Sequence, residues 1–143
     1  MATLLGPSDW DDVRAAIDAQ LTAALLPDRV IASPIYAAEA RRRVLARVPD
    51  PDSLSAEQQL SLRTAAILMA ASLIAPIVPT IVNERDKDYS YQRQAPNFAD
   101  VAYQLRARAD EMLGELAGEI VATEASAHAG WLFGRASADR GVF

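Results

Sequence analysis

Between Arg63 and Glu84 the chain carries no charged residue, and over Leu60 to Val82, LSLRTAAILMAASLIAPIVPTIV, apolar positions fall on nearly every side of a helical wheel. Ala65, Ala66, Ala70, Ala71 and Ala75 keep this stretch narrow, while Ile67, Leu68, Leu73 and Ile74 supply volume. A helix apolar nearly all round is either buried at the centre of a domain or spans a membrane. The run approaches the roughly 20 residues that a span requires. Pro76 and Pro79, however, each remove a backbone donor that lipid cannot replace, and neither Trp nor an asymmetric basic flank marks the ends. The pattern predicts the central helix of a soluble domain with no membrane partner. Ser55 and Gln58 cap its start as a capping box. Pro76 ends or kinks it, leaving Ile77, Val78, Ile81 and Val82 as an extended or irregular continuation.

The flanking segments are amphipathic. Trp10, Val13, Ile17, Leu21, Ala24 and Leu25 recur at helical spacing and predict a first helix from a Ser8 cap, with Asp11 three residues on, to Pro27. Asp9, Asp11 and Asp12 read as a solvated first turn matched to the helix dipole. The next residues, through Val30 and Ile31, form a turn that tucks those two side chains inward. Ser33-Pro34 then starts a second helix that runs to about Val48, with Ile35, Ala38, Leu45 and Val48 as its apolar positions. Arg41, Arg42 and Arg43 wrap three directions around it, with Glu39 placed to pair with Arg43. Asn97 caps a last long helix whose stripe is Phe98, Val101, Leu105, Ala109, Met112, Leu116 and Ile120. Arg106 can pair with Asp110 on its outer face. Gly114 and Gly118 would admit a close neighbour.

Two segments stand apart from these helices. Residues 84–95, ERDKDYSYQRQA, are the one long polar stretch and predict a protruding loop. Glu84, Asp86 and Asp88 alternate like the start of a calcium loop, but Tyr91 stands where the turn glycine belongs. From about Thr123 the chain turns small and polar apart from Trp131, Leu132, Phe133, Val142 and Phe143, which predicts a tail. Gly130 and Gly134 flank its aromatic cluster and allow it to bend. The whole is an all-α domain, a small bundle of about four helices over residues 1–122, followed by an extended C-terminal tail over 123–143.

Composition narrows function by exclusion. The absence of cysteine removes any disulfide framework or thiolate metal site, and a single histidine, His128, removes a multi-histidine centre. A formal net charge of −5 disfavours broad phosphate contacts. Thirteen arginines against one lysine, amid abundant alanine, fit a GC-rich coding genome. No nucleophile elbow, phosphate loop, dinucleotide fingerprint or zinc pattern occurs. The inventory predicts no catalytic residue, no metal and no cofactor, so the expectation is a protein that is not an enzyme. The N-terminus shows no secretion signal, which predicts a cytoplasmic site of synthesis.

The order of features resembles the head–tail connector family of tailed bacteriophages, the adaptor or head-completion proteins. A capped first helix ends near Leu26-Pro27-Asp28, and AEARRRVLARVPDPD follows. Then come the alanine-rich RTAAILMAASLIAPIVP, the polar loop ERDKDYSYQRQ and the helix VAYQLRARADEMLGEL. The likeness spans roughly residues 8 to 118 and rests on composition and spacing. It implies a virion protein at the head–tail interface, present in the host cytoplasm during assembly. Such proteins form rings of commonly about a dozen copies beneath the portal. The ring joins portal to the next tail or stopper component and passes DNA through its lumen without reading its sequence. The resemblance also implies a portal-docking tail, placed at Trp131, Leu132, Phe133, Arg135, Arg140 and Phe143. It implies a subunit- or tail-facing loop at Arg85, Asp86, Lys87, Asp88, Tyr89, Tyr91 and Arg93. The competing reading is a small helical DNA-binding, packaging or regulatory protein. The negative charge and the lack of a basic recognition helix stand against it.

Overall fold

The structure, a computed structural model, describes the backbone of residues 4–85 and 97–140, and the side chains of residues 4–82 and 97–123. Every regular element among the described residues is helical. A 3₁₀ turn at Pro7–Asp9 leads into α1, Trp10–Ile17. A single turn, α2, covers Asp28–Ile31. A π turn at Pro34–Ala38 opens α3, Glu39–Arg47. The central α4 spans Ala56–Ile74, passes through a 3₁₀ turn at Ala75–Ile77 and continues as α5, Val78–Arg85. The last helix, α6, runs from Phe98 to Arg140.

The expected centre is where the pattern placed it. Leu62, Ala65, Ala66, Met69, Ala70, Ala71 and Ile74 are buried on α4, and α6 packs along it more extensively than any other pair of elements. The alanines permit that close approach, while Met69, Ile74 and Leu113 fill the space between helices. The capping box forms as expected: Gln58 N–H donates to Ser55 Oγ at 3.2 Å, and Ser55 N–H donates to Gln58 Oε1 at 3.1 Å. Beyond Pro76 the chain differs from the expectation. Val78–Arg85 is helical, with Val78 and Val82 buried, because one 3₁₀ turn absorbs the missing donor and the helix resumes. The run Ala56–Val82 is long and apolar enough to cross a membrane, with a mean hydropathy of 2.2, yet 56% of its apolar window is buried inside this fold. Core packing therefore accounts for its composition.

The first helix is shorter than its stripe. It stops at Ile17, where Asp18 turns extended, and successive turns fold the chain back. Leu21 and Leu25 are buried as expected, with Leu26 beside them, but not as part of a helix, and Ala24 is exposed. The cause is Arg14, only 3% exposed, whose Nε donates to the Leu26 carbonyl at 2.8 Å. A continuous helix would hold these residues about 18 Å apart. Arg14 also meets Asp11 at 2.8 Å and Asp28. The helix start differs too. Asp9, rather than Ser8, serves the first turn, its Oδ2 accepting from Gly6 N–H at 2.8 Å. Asp9 is not solvated but 1% exposed, and Arg63 Nε donates to its Oδ1 at 2.7 Å. Ser8 Oγ accepts from the same guanidinium at 3.0 Å.

Arginines pin the N-terminal segment at three places. Beside the Arg14 and Arg63 clamps, Arg41 Nη1 donates to the Leu5 carbonyl at 2.9 Å. Leu5 is fully buried and holds a positive φ of 62°, a conformation a leucine adopts only where its surroundings enforce it.

Candidate functional site

Sequence reasoning put two elements forward as sites, the polar loop and the tail. Asp86, Lys87, Asp88, Tyr89, Tyr91 and Arg93 lie outside the described residues, as does the calcium-like alternation beyond Glu84. Arg85 closes α5. The tail is not extended over its described length. Its backbone through Arg140 belongs to α6, so Trp131, Leu132, Phe133, Arg135 and Arg140 occupy positions on one helix that runs through Gly130 and Gly134. Phe143 lies outside the described residues. The small residues of this segment include five alanines, the strongest helix formers, and they favour carrying the helix past both glycines.

The geometry of α6 makes this end an arm. Asn97 Oδ1 accepts from the N–H groups of Ala99 and Asp100 at 3.1 and 3.3 Å, which caps the start. Phe98, Ala109, Leu113 and Leu116 are buried, and Val101, Leu105, Met112 and Ile120 pack against them. Near the far end of this packing Gln58 Nε2 donates to Glu119 Oε2 at 3.2 Å, so the first turn of α4 stands beside Glu119. After Ile120 the support stops: Val121, at 63% exposure, is followed by exposed Ala122 and Thr123. The helix continues for about 20 residues, or roughly 30 Å. Gly118 has no neighbour where a Cβ would stand, and Gly114 meets only the end of Arg47 at 3.5 Å, so the expected close helix approach is absent at both.

A second feature was not legible as a site. Of the positions expected to form the core face of this segment, Val48 is buried and Ala38 half-buried, but Ile35 is 66% and Leu45 36% exposed, and Ala37, Ala40 and Val44 face inward instead. Ile35, Ala38, Arg42 and Leu45 recur at spacings of three and four, one stripe along the π turn and α3. Its charge is positive. Glu39 accepts from Arg42 Nε at 2.8 Å and from Arg43 Nε at 2.9 Å, as the spacing to Arg43 predicts. Hydrogen bonds from Arg42 and then Arg43 lower the Glu39 pKa from 4.5 to about 2. One carboxylate thus serves two guanidiniums, and Arg43 Nη1 is buried with no hydrogen-bond partner.

Opposite in sign is a surface groove of about 370 Å³ lined by Ser55, Glu57, Gln58, Ser61 and Glu119. A smaller hollow sharing Ser61 and Glu119 adds Met112, Glu115 and Leu116. Glu111, Glu115 and Glu119 stand four apart on one side of α6, a like-charged series that weakens a helix slightly. That spacing was visible in the sequence; its position beside the exposed start of α4 was not. On the neighbouring side Arg106 and Asp110 approach to 3.9 Å as expected, and Arg47 joins Asp110 at 3.6 Å. Among the described residues no group of three or more His, Asp or Glu side chains is arranged to hold a metal ion. No protein-family model, curated protein or solved structure matches the chain.

Proposed function

We propose that this chain is a structural virion protein, a subunit of a homo-oligomeric ring beneath the portal that joins a phage head to its tail and gives DNA a conduit. The observation that supports the reading is the arm: α6 continues for roughly 30 Å beyond Ile120, its last described packed residue, over a stretch whose sequence carries Trp131, Leu132 and Phe133. A helix extended to that length supplies reach toward a partner. Aromatic residues dominate interface energetics once buried. The net charge of −5 suits a lumen through which DNA slides without being held. On this reading the protein works by assembly, and its partners are further copies of itself, the portal and the next tail or stopper component.

Electron microscopy of the purified protein, alone and mixed with the portal of a tailed phage encoding it, tests the proposal. Rings coaxial with the portal are expected in the mixture. A protein that leaves the portal bare, while binding short duplex DNA in a salt-dependent way, overturns it in favour of a DNA-binding role.

A further inference from the structure

We infer that copies of this chain associate head to tail, the outward face of α3 on one copy docking against the acidic groove of the next. This deepens the ring-forming reading, on which its closure into a ring rests, by naming the two surfaces that meet.

Two exposed faces of the domain are opposite in character. The α3 face presents Ile35 and Leu45 with Arg42 between them, and Arg42 is itself 67% exposed at its side chain. Over Glu39–Arg47 four arginines stand against a single glutamate. The other face holds the groove at the start of α4, where Glu57 and Glu115 are exposed with no ion-pair partner among the described residues. It too has apolar neighbours. Met112 lines the smaller hollow, and Leu60, 65% exposed, stands one helical turn from Glu57.

Each face therefore combines apolar side chains with an excess of charge of one sign. Isolated exposed apolar residues are ordinary, but here they sit beside net charge of opposite sign at two different places on one molecule, four arginines against one glutamate on α3 and exposed Glu57 and Glu115 at the groove. A surface that pairs with a different surface of the same chain makes a heterologous contact, which generates a ring when the rotation closes and a filament when it does not. A second copy is the occupant that the charge pattern specifies, because one chain carries both halves. Within the contact, the apolar side chains lose water while the arginines set register against the carboxylates. Salt screens the second part.

Sedimentation velocity at low and high salt over a wide concentration range, with circular dichroism to verify folding, decides the matter. The wild-type chain is expected to self-associate at low salt and to weaken as salt rises. Arg42→Glu, and separately the double variant Glu57→Arg/Glu115→Arg, should each reduce association at least tenfold while keeping a cooperative fold, since all three positions are exposed; Arg42→Glu should melt slightly below the parent because it loses the Glu39 pair. An equimolar mixture of the two variants should associate again, because each then offers the complement of the other. Ile35→Ser should weaken association without changing its salt slope. A wild-type chain that stays monomeric at low salt near 1 mM, or variants that associate like the parent, overturns the inference. If the variants still form rings on a portal, the connector reading survives and this interface does not. If wild type and mixture associate as expected but the portal stays bare, the interface stands and the connector reading falls.

Discussion

Replacing Arg14 by methionine tests whether the N-terminal layer is held by one buried guanidinium. Methionine keeps the volume of the aliphatic stem, so little cavity forms. What is lost is the set of hydrogen bonds. Asp11 and Asp28 have side chains 95% and 65% exposed, so both return to water at small cost. The Leu26 carbonyl cannot, because Leu26 is fully buried and its oxygen loses the Arg14 Nε donor at 2.8 Å. An unsatisfied buried acceptor costs about 1–3 kcal/mol, and the turns that Arg14 organises lose their tie as well. We expect a destabilisation of about 2–3 kcal/mol, which for a chain of this size lowers Tm by roughly 5–12 °C. Arg14→Ala should cost more, by the further volume left empty. Thermal and urea denaturation followed by circular dichroism measure both. An Arg14→Met protein melting within about 2 °C of the parent would show that the turns after Ile17 hold themselves, and would refute the argument.

Three other outcomes follow from the same packing. Leu68→Asp or Ile74→Asp forces a carboxylate into positions 9% and 0% exposed and should abolish cooperative folding, at a cost of several kcal/mol; a helical variant with a sharp melt near the parent temperature would contradict the central burial of α4. Glu39, its pKa held at about 2 by Arg42 and Arg43 against an ordinary 4.5, contributes stability that is present above pH 4.5 and is lost as pH falls through about 2. Carbon-detected NMR titration should find that low midpoint and should see it rise in Arg42→Ala; an ordinary midpoint in the parent would mean the two-arginine pairing does not persist in solution. If the arm is given over to docking, truncation after Ala122 should leave Tm within a few degrees of the parent while removing any binding to portal; a large fall in Tm would place the arm in the core.

What the sequence made legible was the part of the fold governed by period and caps. The uncharged alanine-rich run, the Ser55–Gln58 box and the Asn97 cap each act through neighbours within four residues, and each forms as read. The failures share a cause. Arg14 and Asp9 look like surface residues of an acidic first turn, and only contacts with Leu26, twelve residues on, and Arg63, fifty-four on, make them interior. Periodicity likewise identified an apolar stripe on α3 but not its direction. Ala37, Ala40 and Val44 are small enough to sit against α4 and α6, and the bulkier Ile35 and Leu45 are left outside. The tail was misjudged because alanine signals low hydrophobicity and high helix propensity together, and a preceding folded helix makes the second property decide.

That last point bears on how the arm would act. An isolated helix of about 20 residues is marginal in water because its first turn must be nucleated at a loss. Here residues 98–120 have already nucleated α6, so the arm requires only propagation, which its alanines favour and which Gly130 and Gly134 oppose by about 1 kcal/mol each. An arm that is helical before it binds loses less conformational freedom on docking than a disordered tail would. Replacing both glycines by alanine should therefore raise the helicity of the free protein. If the docked arm is helical, the same double variant should bind its partner more tightly, by up to tenfold for each 1.4 kcal/mol of restored propensity. If docking instead requires the chain to bend at the glycines, affinity should fall although the aromatic residues are untouched. Helicity by circular dichroism and affinity by titration on the same preparation separate the two, and a rise in helicity with a loss of binding would refute a preformed docking helix.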